Sequence, residues 1–426
     1  MIGAARPIRL EADWVLPIDT PPLREGAVLI DAAGRIAAIG PASQLPTPPD
    51  AAIERCPGAA LLPGLINAHT HLELTGLAGR VEHDEFARWI RGVRELKAGL
   101  PPEWFAEAAR QGVREAFAAG ITTVLDTGDS GAVLPALVAA GGAGVVYQEV
   151  FGPHPDQLRD SLTGLESRVA ELGPLATDRV RLGLSPHAPY TVGGPLYRAT
   201  AELARRLGLP LAVHLAESPE ESAFVARNEG PFAEAWRARG IPPLSDPRHR
   251  GGDPEARRSP VSWVDHHRVL GPDTLVIHAV QLDHRDREIV ARTGAAIAHC
   301  PLSNARHRHG SAAVAALRAA GVRVGVGTDS VVSVGALDLF AEIRAARALA
   351  GLSAEAALAL GTIEGARLVG LERSVGRVAV GAWGDLIAVD IPPNRDPIEA
   401  VLAQSPRGIR LTIASGRVVH RRSDLA

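Results

Sequence analysis

Two histidines one residue apart close an apolar segment early in the chain. The segment runs from Leu62 to Ala68 and ends in His69-Thr70-His71. An apolar stretch of this length indicates a buried parallel strand whose carboxyl end opens into a site. Because positions i and i+2 of a strand point to the same side, His69 and His71 can present two imidazoles to one metal ion. Such a pair is a weak signal alone, since it also occurs by chance on loops.

Polar residues also stand at the ends of later apolar runs, where the remaining ligands would have to come from. They are His187, His214 with Glu217, His278, His299 and Asp329. A single histidine at a strand end is more often a hydrogen-bonded structural residue, and Asp329 can equally cap the next helix. Their joint occurrence at successive strand ends predicts a metal site.

Eight apolar, β-branched runs alternate with amphipathic helical patterns in the middle of the chain. The runs are Leu61–Ala68, Ile121–Asp126, Gly144–Val150, Val180–Leu184, Leu209–Leu215, Thr274–Ala279, Ala295–His299 and Val322–Gly327. This alternation predicts an α/β fold, a (β/α)₈ TIM-like barrel whose functional groups gather at the carboxyl ends of the strands. A doubly wound open sheet is the alternative, but no glycine-rich phosphate-binding fingerprint follows the first strand.

Both ends of the chain carry short β patterns broken by proline and glycine. We expect residues 1–59 and 376–426 to form one small β-sandwich domain, with Gly376–Val380 among its strands, around a barrel of residues 60–375. The segment 241–260 is rich in Pro, Gly, Arg and His and has no periodicity. It is interpreted as a surface loop, with a lid over the site as the alternative.

Composition narrows the class of protein. The 426 residues include 45 Lys+Arg against 48 Asp+Glu, a net charge of −3, which argues against nucleic acid or an acidic membrane as the main partner. No apolar run reaches the length of a membrane-spanning helix, and the N-terminus has no signal-peptide pattern. Two cysteines, Cys56 and Cys300, are too few for a disulfide framework, so a reducing, cytoplasmic setting is expected.

Several of these motifs occur together in one known group of enzymes. They are Pro63-Gly64 through His71, His214-Leu215-Ala216-Glu217, His278, and Gly327-Thr328-Asp329. In these motifs, and over nearly its whole length, the chain resembles the amidohydrolase superfamily. Pro186-His187-Ala188-Pro189-Tyr190 and the segment His299–Asn304 make it similar to the branch of nucleobase and nucleoside deaminases and chlorohydrolases.

The resemblance implies a role for each residue of the predicted site. One divalent metal would be held by His69, His71, His214 and Asp329. Such ligands suit zinc, which lowers the pKa of a bound water to about 7, and iron is the alternative. Asp329 would also accept a proton from the attacking metal-bound hydroxide or water, and His278 would orient it. Glu217 would protonate a ring nitrogen of the substrate and relay a proton to the departing amine, which leaves as ammonia.

A single lysine, Lys97, occurs in the whole chain. Binuclear members of the superfamily usually bridge two metals with a carboxylated lysine at the end of strand four, where this chain has His187 instead. Lys97 falls in the helical region after strand one, where it cannot serve as that bridge. The resemblance therefore implies a mononuclear site.

The sequence also contains candidates for binding the substrate. His187 belongs to a motif that contacts the substrate in related deaminases, although a turn stiffened by proline is the alternative. The segment His71–Gly76 resembles 6-aminodeoxyfutalosine deaminases of menaquinone biosynthesis. Glu73 within it is expected to bind ribose hydroxyls or, equally, to support a metal-binding histidine. The basic run Arg306–His309 is interpreted as a solvated face, with contact to a substrate carboxylate as the alternative.

An aminopurine nucleoside-like small molecule is therefore the expected substrate, with 6-aminodeoxyfutalosine the best candidate. The alternatives are deamination of adenosine, S-adenosylhomocysteine or methylthioadenosine, guanine-type deamination, and chlorohydrolysis. A non-catalytic binding protein on a barrel scaffold is disfavoured, since no ligand is missing and Glu217 is present. A homodimer is the expected assembly of such a barrel.

Overall fold

The computed structural model describes residues 6–244 and 258–423. Four strands come first in the chain: β1 (Ile8–Val15), β2 (Leu23–Ile30), β3 (Ile36–Pro41) and β4 (Ala52–Pro63). The first barrel strand is predicted to begin at Leu61, but residues 61–63 belong to β4. The apolar run continues through Gly64 because the strands on both sides are buried, so hydropathy does not mark the boundary between them.

The next eight strands form the barrel, and each corresponds to one predicted run. They are β5 (Leu65–Thr70), β6 (Ile121–Gly128), β7 (Ala143–Val150), β8 (Val180–Pro186), β9 (Leu211–Leu215), β10 (Thr274–His278), β11 (Ala296–His299) and β12 (Val324–Val326). All are parallel and follow one another in chain order. The main-chain N–H of Asp329, just after β12, donates to the carbonyl of His69 on β5 at 2.9 Å. The predicted barrel is confirmed.

Close contact between the first and last barrel strands requires a glycine. A Cβ on Gly327 would lie 2.4 Å from the main-chain nitrogen of His69. Gly327 thus lets the segment that carries Asp329 approach the segment that carries His69. The predicted Gly-Thr-Asp motif therefore joins two ends of the barrel as well as supplying a carboxylate.

Helices cover the outside of the barrel. In chain order they are α1 (Phe86–Ala98), α2 (Pro102–Ala118), α3 (Val133–Ala140), α4 (Leu158–Leu172), α5 (Gly194–Leu207), α6 (Pro219–Arg227), α7 (Pro231–Ala238), α8 (Pro260–His266), α9 (His284–Thr293), α10 (Pro301–Arg306), α11 (Val314–Ala319), α12 (Val331–Val334), α13 (Leu339–Ala350), α14 (Ala354–Leu360), α15 (Ile363–Arg367) and α16 (Pro397–Leu402). Among the described residues, none of these helices is long and apolar enough to cross a membrane. Of the predicted loop 241–260, residues 245–257 lie outside the described residues, so the choice between loop and lid stays open.

The chain ends with three strands that return to the first sheet. They are β13 (Leu386–Asp390), β14 (Ile409–Ala414) and β15 (Arg417–Arg421). Hydrogen bonds join the terminal strands in the order β15-β14-β13-β4-β1-β2-β3. Both ends of the chain contribute to this part, as predicted, and the expected β-sandwich is observed as one hydrogen-bonded sheet. Gly376–Val380 is not a strand, since its main chain is irregular and Val378 donates to the carbonyl of Pro17. The exact domain boundaries stay a prediction.

Candidate active site

Four side chains from three strand ends converge at the carboxyl end of the barrel. His69 lies on β5, His71 directly follows β5, His214 lies on β9, and Asp329 follows β12. Nε2 of His214 is 3.3 Å from Nε2 of His69. Oδ1 of Asp329 is 3.5 Å from Nε2 of each of His69 and His71. The predicted ligand set is thus brought together in space.

This arrangement fits one divalent metal ion. Zinc–ligand bonds of about 2.0–2.1 Å at tetrahedral angles place neighbouring ligand atoms roughly 3.4 Å apart, close to the separations of 3.3 Å and 3.5 Å. Burial lowers the pKa of His71 to about 4 and that of His214 well below its ordinary value. Both rings are therefore neutral at physiological pH, which is the form that binds metal.

Hydrogen bonds hold two of the ligands in orientation. Thr127 Oγ1 lies 3.2 Å from Nδ1 of His71. Ser303 and Ser333 donate to Oδ2 of Asp329 at 2.6 Å and 3.0 Å, while Oδ1, which accepts from the main-chain N–H of Ser330 at 2.6 Å, faces the histidine ligands. Asp329 also has a positive φ of 62°, a strained main-chain conformation of the kind that clusters at functional sites. Ser303 thus positions the carboxylate of Asp329.

Glu217 and His278 lie beside the ligands. Glu217 follows β9, and His278 is the last residue of β10, with its Nε2 3.5 Å from Oε1 of Glu217. Asn304 fixes the His278 ring, because its Oδ1 is 3.1 Å from Nδ1. Burial, followed by the charge of Asp329, raises the pKa of Glu217 well above its ordinary value. A carboxyl group with a raised pKa keeps its proton to a higher pH than an ordinary glutamate, which suits it to act as a general acid.

His299 does not reach the metal site. Its ring is completely buried, and Nδ1 lies 3.5 Å from Nδ2 of Asn304. It therefore supports the residue that orients His278. His299 is therefore a structural residue, which is the more common role of a single histidine at a strand end.

A cavity of about 860 Å³ opens above these residues. His71, His214, Glu217, His278 and Asp329 form its polar floor, and Leu74, Phe86, Trp89 and Phe151 are among its apolar lining residues. Its volume is in the range that holds a drug-sized ligand. A flat aromatic molecule with one polar edge could therefore bind with that edge at the floor.

His187 lines the same cavity, next to the metal ligands. Its ring centre is 4.7 Å from that of His214, and its Nδ1 is 2.8 Å from Thr191 Oγ1. Burial lowers its pKa to about 3, so the ring is neutral. Its place on the wall is compatible with the predicted contact to substrate, which stays a prediction.

The contacts that the structure shows for Glu73 include neither of the two expected ones. The side chain is 1% exposed, and its carboxylate accepts from Lys97 Nζ at 2.7 Å and from the main chain of Ser130 at 3.1 Å. The Ser130 hydroxyl donates to it as well. Burial alone would raise the pKa of Glu73, but Lys97 lowers it to about 2. Both oxygens accept from these donors, and Glu73 itself is not among the cavity-lining residues. These contacts support neither ribose binding nor contact with a metal-binding histidine, so both roles of Glu73 stay predictions.

The same contacts show where Lys97 lies on its predicted helix. It lies on α1 and lines the cavity, where its ammonium group pairs with Glu73 and with Asp129 at 2.5 Å. These carboxylates raise the pKa of Lys97 against the effect of burial, so it remains a cation. Periodicity placed Lys97 on a helix but could not show which way that helix faces.

The sequence did not predict that His307 and His309 are buried next to the site. Arg306 and Arg308 are exposed as predicted for a solvated face, but His307 and His309 are 8% and 2% exposed. His309 Nδ1 lies 3.5 Å from Oε1 of Glu217. The prediction for this run was therefore wrong at its two histidines. The strict alternation of arginine and histidine was the available signal that one side of the segment is buried.

Comparisons with known proteins agree with this architecture. The 5-methylthioadenosine/S-adenosylhomocysteine deaminase of Symbiobacterium thermophilum is 30% identical over 433 residues, covering 96% of this chain and 93% of that protein. The 5'-deoxyadenosine deaminase of Methanothermobacter thermautotrophicus is 28% identical over 426 residues, with 96% and 92% covered. An adenosine deaminase from Xanthomonas campestris with bound zinc has a TM-score of 0.82 at 24% identity, with 96% and 92% covered, and this likeness shows the fold alone.

The match to a family profile covers most of the chain. A profile described as the Amidohydrolase family matches residues 60–419, which include every strand of the barrel and all four candidate ligands. The expectation of a metal-dependent hydrolase with deaminase relatives is confirmed at this level. The chain belongs to the amidohydrolase family.

Proposed function

We propose that the protein is a mononuclear metal-dependent aminohydrolase that deaminates an aminopurine nucleoside-like substrate and releases ammonia. The observation that carries this proposal is the buried carboxyl group of Glu217, which faces the cavity beside the four converging ligand atoms. A protonated carboxyl and a metal site on one cavity floor are what hydrolysis of a ring amine needs. The deaminase names of the relatives support the same substrate class.

The residues divide the reaction between them. The metal, when bound, supplies an activated water. Hydrolysis replaces the ring amine by the oxygen of that water, so a ring nitrogen must gain a proton and the amine must leave as ammonia. Glu217 donates the first proton to the ring nitrogen, and Asp329 accepts the proton that the water loses. The carboxylate of Glu217 then relays the proton of the added hydroxyl group to the amine, which leaves as ammonia, and the proton held by Asp329 returns Glu217 to its acid form. His278 holds the water in line, while Phe86 and Trp89 exclude bulk solvent around the base.

Within this class we propose 6-aminodeoxyfutalosine, an intermediate of menaquinone biosynthesis, as the substrate. Support comes from the segment His71–Gly76 and from two arginines among the cavity-lining residues, Arg94 and Arg239. Neither forms an ion pair within residues 6–244 and 258–423, and partial burial together with the charge of Arg94 lowers the pKa of Arg239. Two close, unpaired guanidinium groups would bind the benzoate carboxylate of this compound.

A substrate panel tests both levels of the proposal. Metal-loaded protein is assayed for ammonia release from 6-aminodeoxyfutalosine, adenosine, 5'-deoxyadenosine, methylthioadenosine, S-adenosylhomocysteine and guanine, with a chlorotriazine as the chlorohydrolase arm. We expect turnover of the nucleosides, fastest with 6-aminodeoxyfutalosine. Turnover of the chlorotriazine alone would reject the deaminase proposal.

The arginine pair gives the panel a matched control. R94Q/R239Q should raise KM for 6-aminodeoxyfutalosine at least 10-fold and leave adenosine turnover within twofold, because adenosine has no carboxylate. An equal loss on both substrates would reject the assignment of the arginines. Zinc as the resident metal, a cytoplasmic location and a homodimer remain predictions.

A further inference from the structure

Glu217 lies between two histidine rings that approach the same carboxylate oxygen. Its Oε1 is 3.5 Å from Nε2 of His278 and 3.5 Å from Nδ1 of His309. The roles proposed above use His278 but leave His309 without one. His309 lies outside the motifs that defined the site, three residues after the end of α10.

The position of His309 is fixed by its own main chain and by ring packing. Its N–H donates to the carbonyl of Asn304 at 2.9 Å, and its carbonyl accepts from the side chain of Gln281. The ring packs edge-on against Phe86, with 4.5 Å between centroids, and stacks on His307. Neither ring nitrogen has a hydrogen-bond partner within the described ranges. A buried polar group without a partner is costly, so Nδ1 needs an acceptor, and Glu217 is beside it.

We propose that His309 is a positioning residue for Glu217: its neutral ring donates Nδ1–H to Oε1 whenever Glu217 is a carboxylate. This inference rests on the proposed function, in which Glu217 gives up a proton to the substrate ring and later passes one to the amine. His309 then fixes Oε1 and so sets the orientation of the carboxylate towards the substrate. The donor also stabilises the carboxylate that forms during each turnover.

The groups around the pair are consistent with a neutral donor. Tyr190 also hydrogen-bonds Glu217, while the carboxylates of Asp329 and Glu221 act on it through their charge. His307, on the same segment, stacks on the ring of His309, and burial together with the charge of His307 lowers the pKa of His309 to about 3. His309 therefore acts as a hydrogen-bond donor and not as a cation.

The test uses two substitutions of the same shape. His309→Asn keeps an N–H near the Nδ1 position, whereas His309→Leu removes it with the same branching. His307→Leu is the control, since it changes the neighbouring buried ring without touching Glu217. We measure kcat and its pH profile on the best substrate of the panel, with metal content and Tm for every variant.

A second readout does not depend on turnover. Infrared titration follows the carboxylic acid band of Glu217, which is identified by its loss in Glu217→Gln. Loss of the donor destabilises the carboxylate, so H309L should raise the pKa of Glu217 and move the alkaline limb of the pH profile upward. We expect kcat of H309L to fall about 10-fold or more, as for other supporting contacts of functional groups. H309N should keep most of the wild-type kcat, and H307L should show no such loss.

Two results would overturn the proposal. One is an H309L variant in which both kcat and the acid dissociation constant of Glu217 stay within twofold of their wild-type values. The other is an H309N variant as impaired as H309L in both readouts, which would mean that only ring packing matters. If H309L does not fold, His309→Phe, which keeps a ring against Phe86, replaces it under the same criteria. Because the infrared arm needs no substrate, failure of the deaminase proposal would be seen separately, as absent turnover in wild type.

Discussion

At the level of single residues, Glu217 is the group whose protonation the proposed reaction depends on. Replacing it by glutamine keeps the size of the side chain but removes the transferable proton. We expect kcat of Glu217→Gln to fall by about 10²–10⁴, the usual contribution of a general acid. Bound metal, measured by elemental analysis, should be unchanged because Glu217 is not among the ligands. A variant that kept its activity would contradict the assignment.

The pH dependence follows from the same residue. Glu217 must be protonated to donate to the substrate, and burial raises its pKa above the ordinary value. Activity should therefore persist above the pH at which an ordinary glutamate has ionised and decline as the pH rises through the raised pKa. The check is a profile of kcat/KM against pH. An activity that instead rises on this limb would show that the carboxylate is the active form.

At the level of elements, a buried ion pair attaches α1 to the loop after β6. Lys97 on α1 pairs with Glu73 and Asp129, and Glu73 accepts from Ser130. A Cβ on Gly128 would lie 2.5 Å from Oε2 of Glu73, so the chain is shaped around this carboxylate. The pair thus sets where α1, with its Phe86 and Trp89, stands relative to the cavity.

Removing one partner of the Glu73–Lys97 pair should lower the free energy of unfolding more than removing both partners. Glu73→Leu leaves the Lys97 cation partly buried with only Asp129, and we expect a loss of about 3 kcal/mol in the free energy of unfolding. E73L/K97M should recover part of that loss. Urea denaturation measures both, with the exposed Glu107→Ala as the control, expected to change little. Equal stabilities of the single and double variants would contradict the coupling.

Sequence was sufficient for the barrel and for the ligands because both depend on local patterns. Each buried parallel strand is a continuous apolar run, and His69, His214 and Asp329 come directly at or after such runs. The orientation of a helix or of an irregular segment depends instead on contacts far away in the chain. For that reason the inward position of Lys97 and the burial of His309 became visible only in three dimensions.

At the level of the whole molecule, one ion pair links the barrel to the terminal sheet. Arg179, just before β8, donates to both carboxylate oxygens of Asp385 at 2.9 Å and 2.8 Å and lies over the ring of Trp383. Asp385 directly precedes β13 and also accepts from the main chain of Ser415. The cation of this buried pair therefore comes from the barrel, and its carboxylate comes from the start of a strand of the terminal sheet.

This link predicts a stability effect far from the active site. Arg179→Met leaves the Asp385 carboxylate buried without its cation, and we expect a loss of about 3–5 kcal/mol. Thermal unfolding should show a lower Tm, while kcat at low temperature stays near that of wild type. Arg159→Met, in an exposed pair, is the control. An unchanged Tm in Arg179→Met would show that the pair does not hold the two parts together.

The central claim is that one metal ion, held by His69, His71, His214 and Asp329, makes this chain a hydrolase of ring amines. The direct measurement is to strip the metal with a chelator, add Zn²⁺ stepwise, and follow bound zinc and ammonia release in the same samples. The account predicts that activity rises in proportion to bound zinc and is complete at one ion per chain. Deamination by metal-free protein, or activity that appears only as a second ion binds, would contradict it.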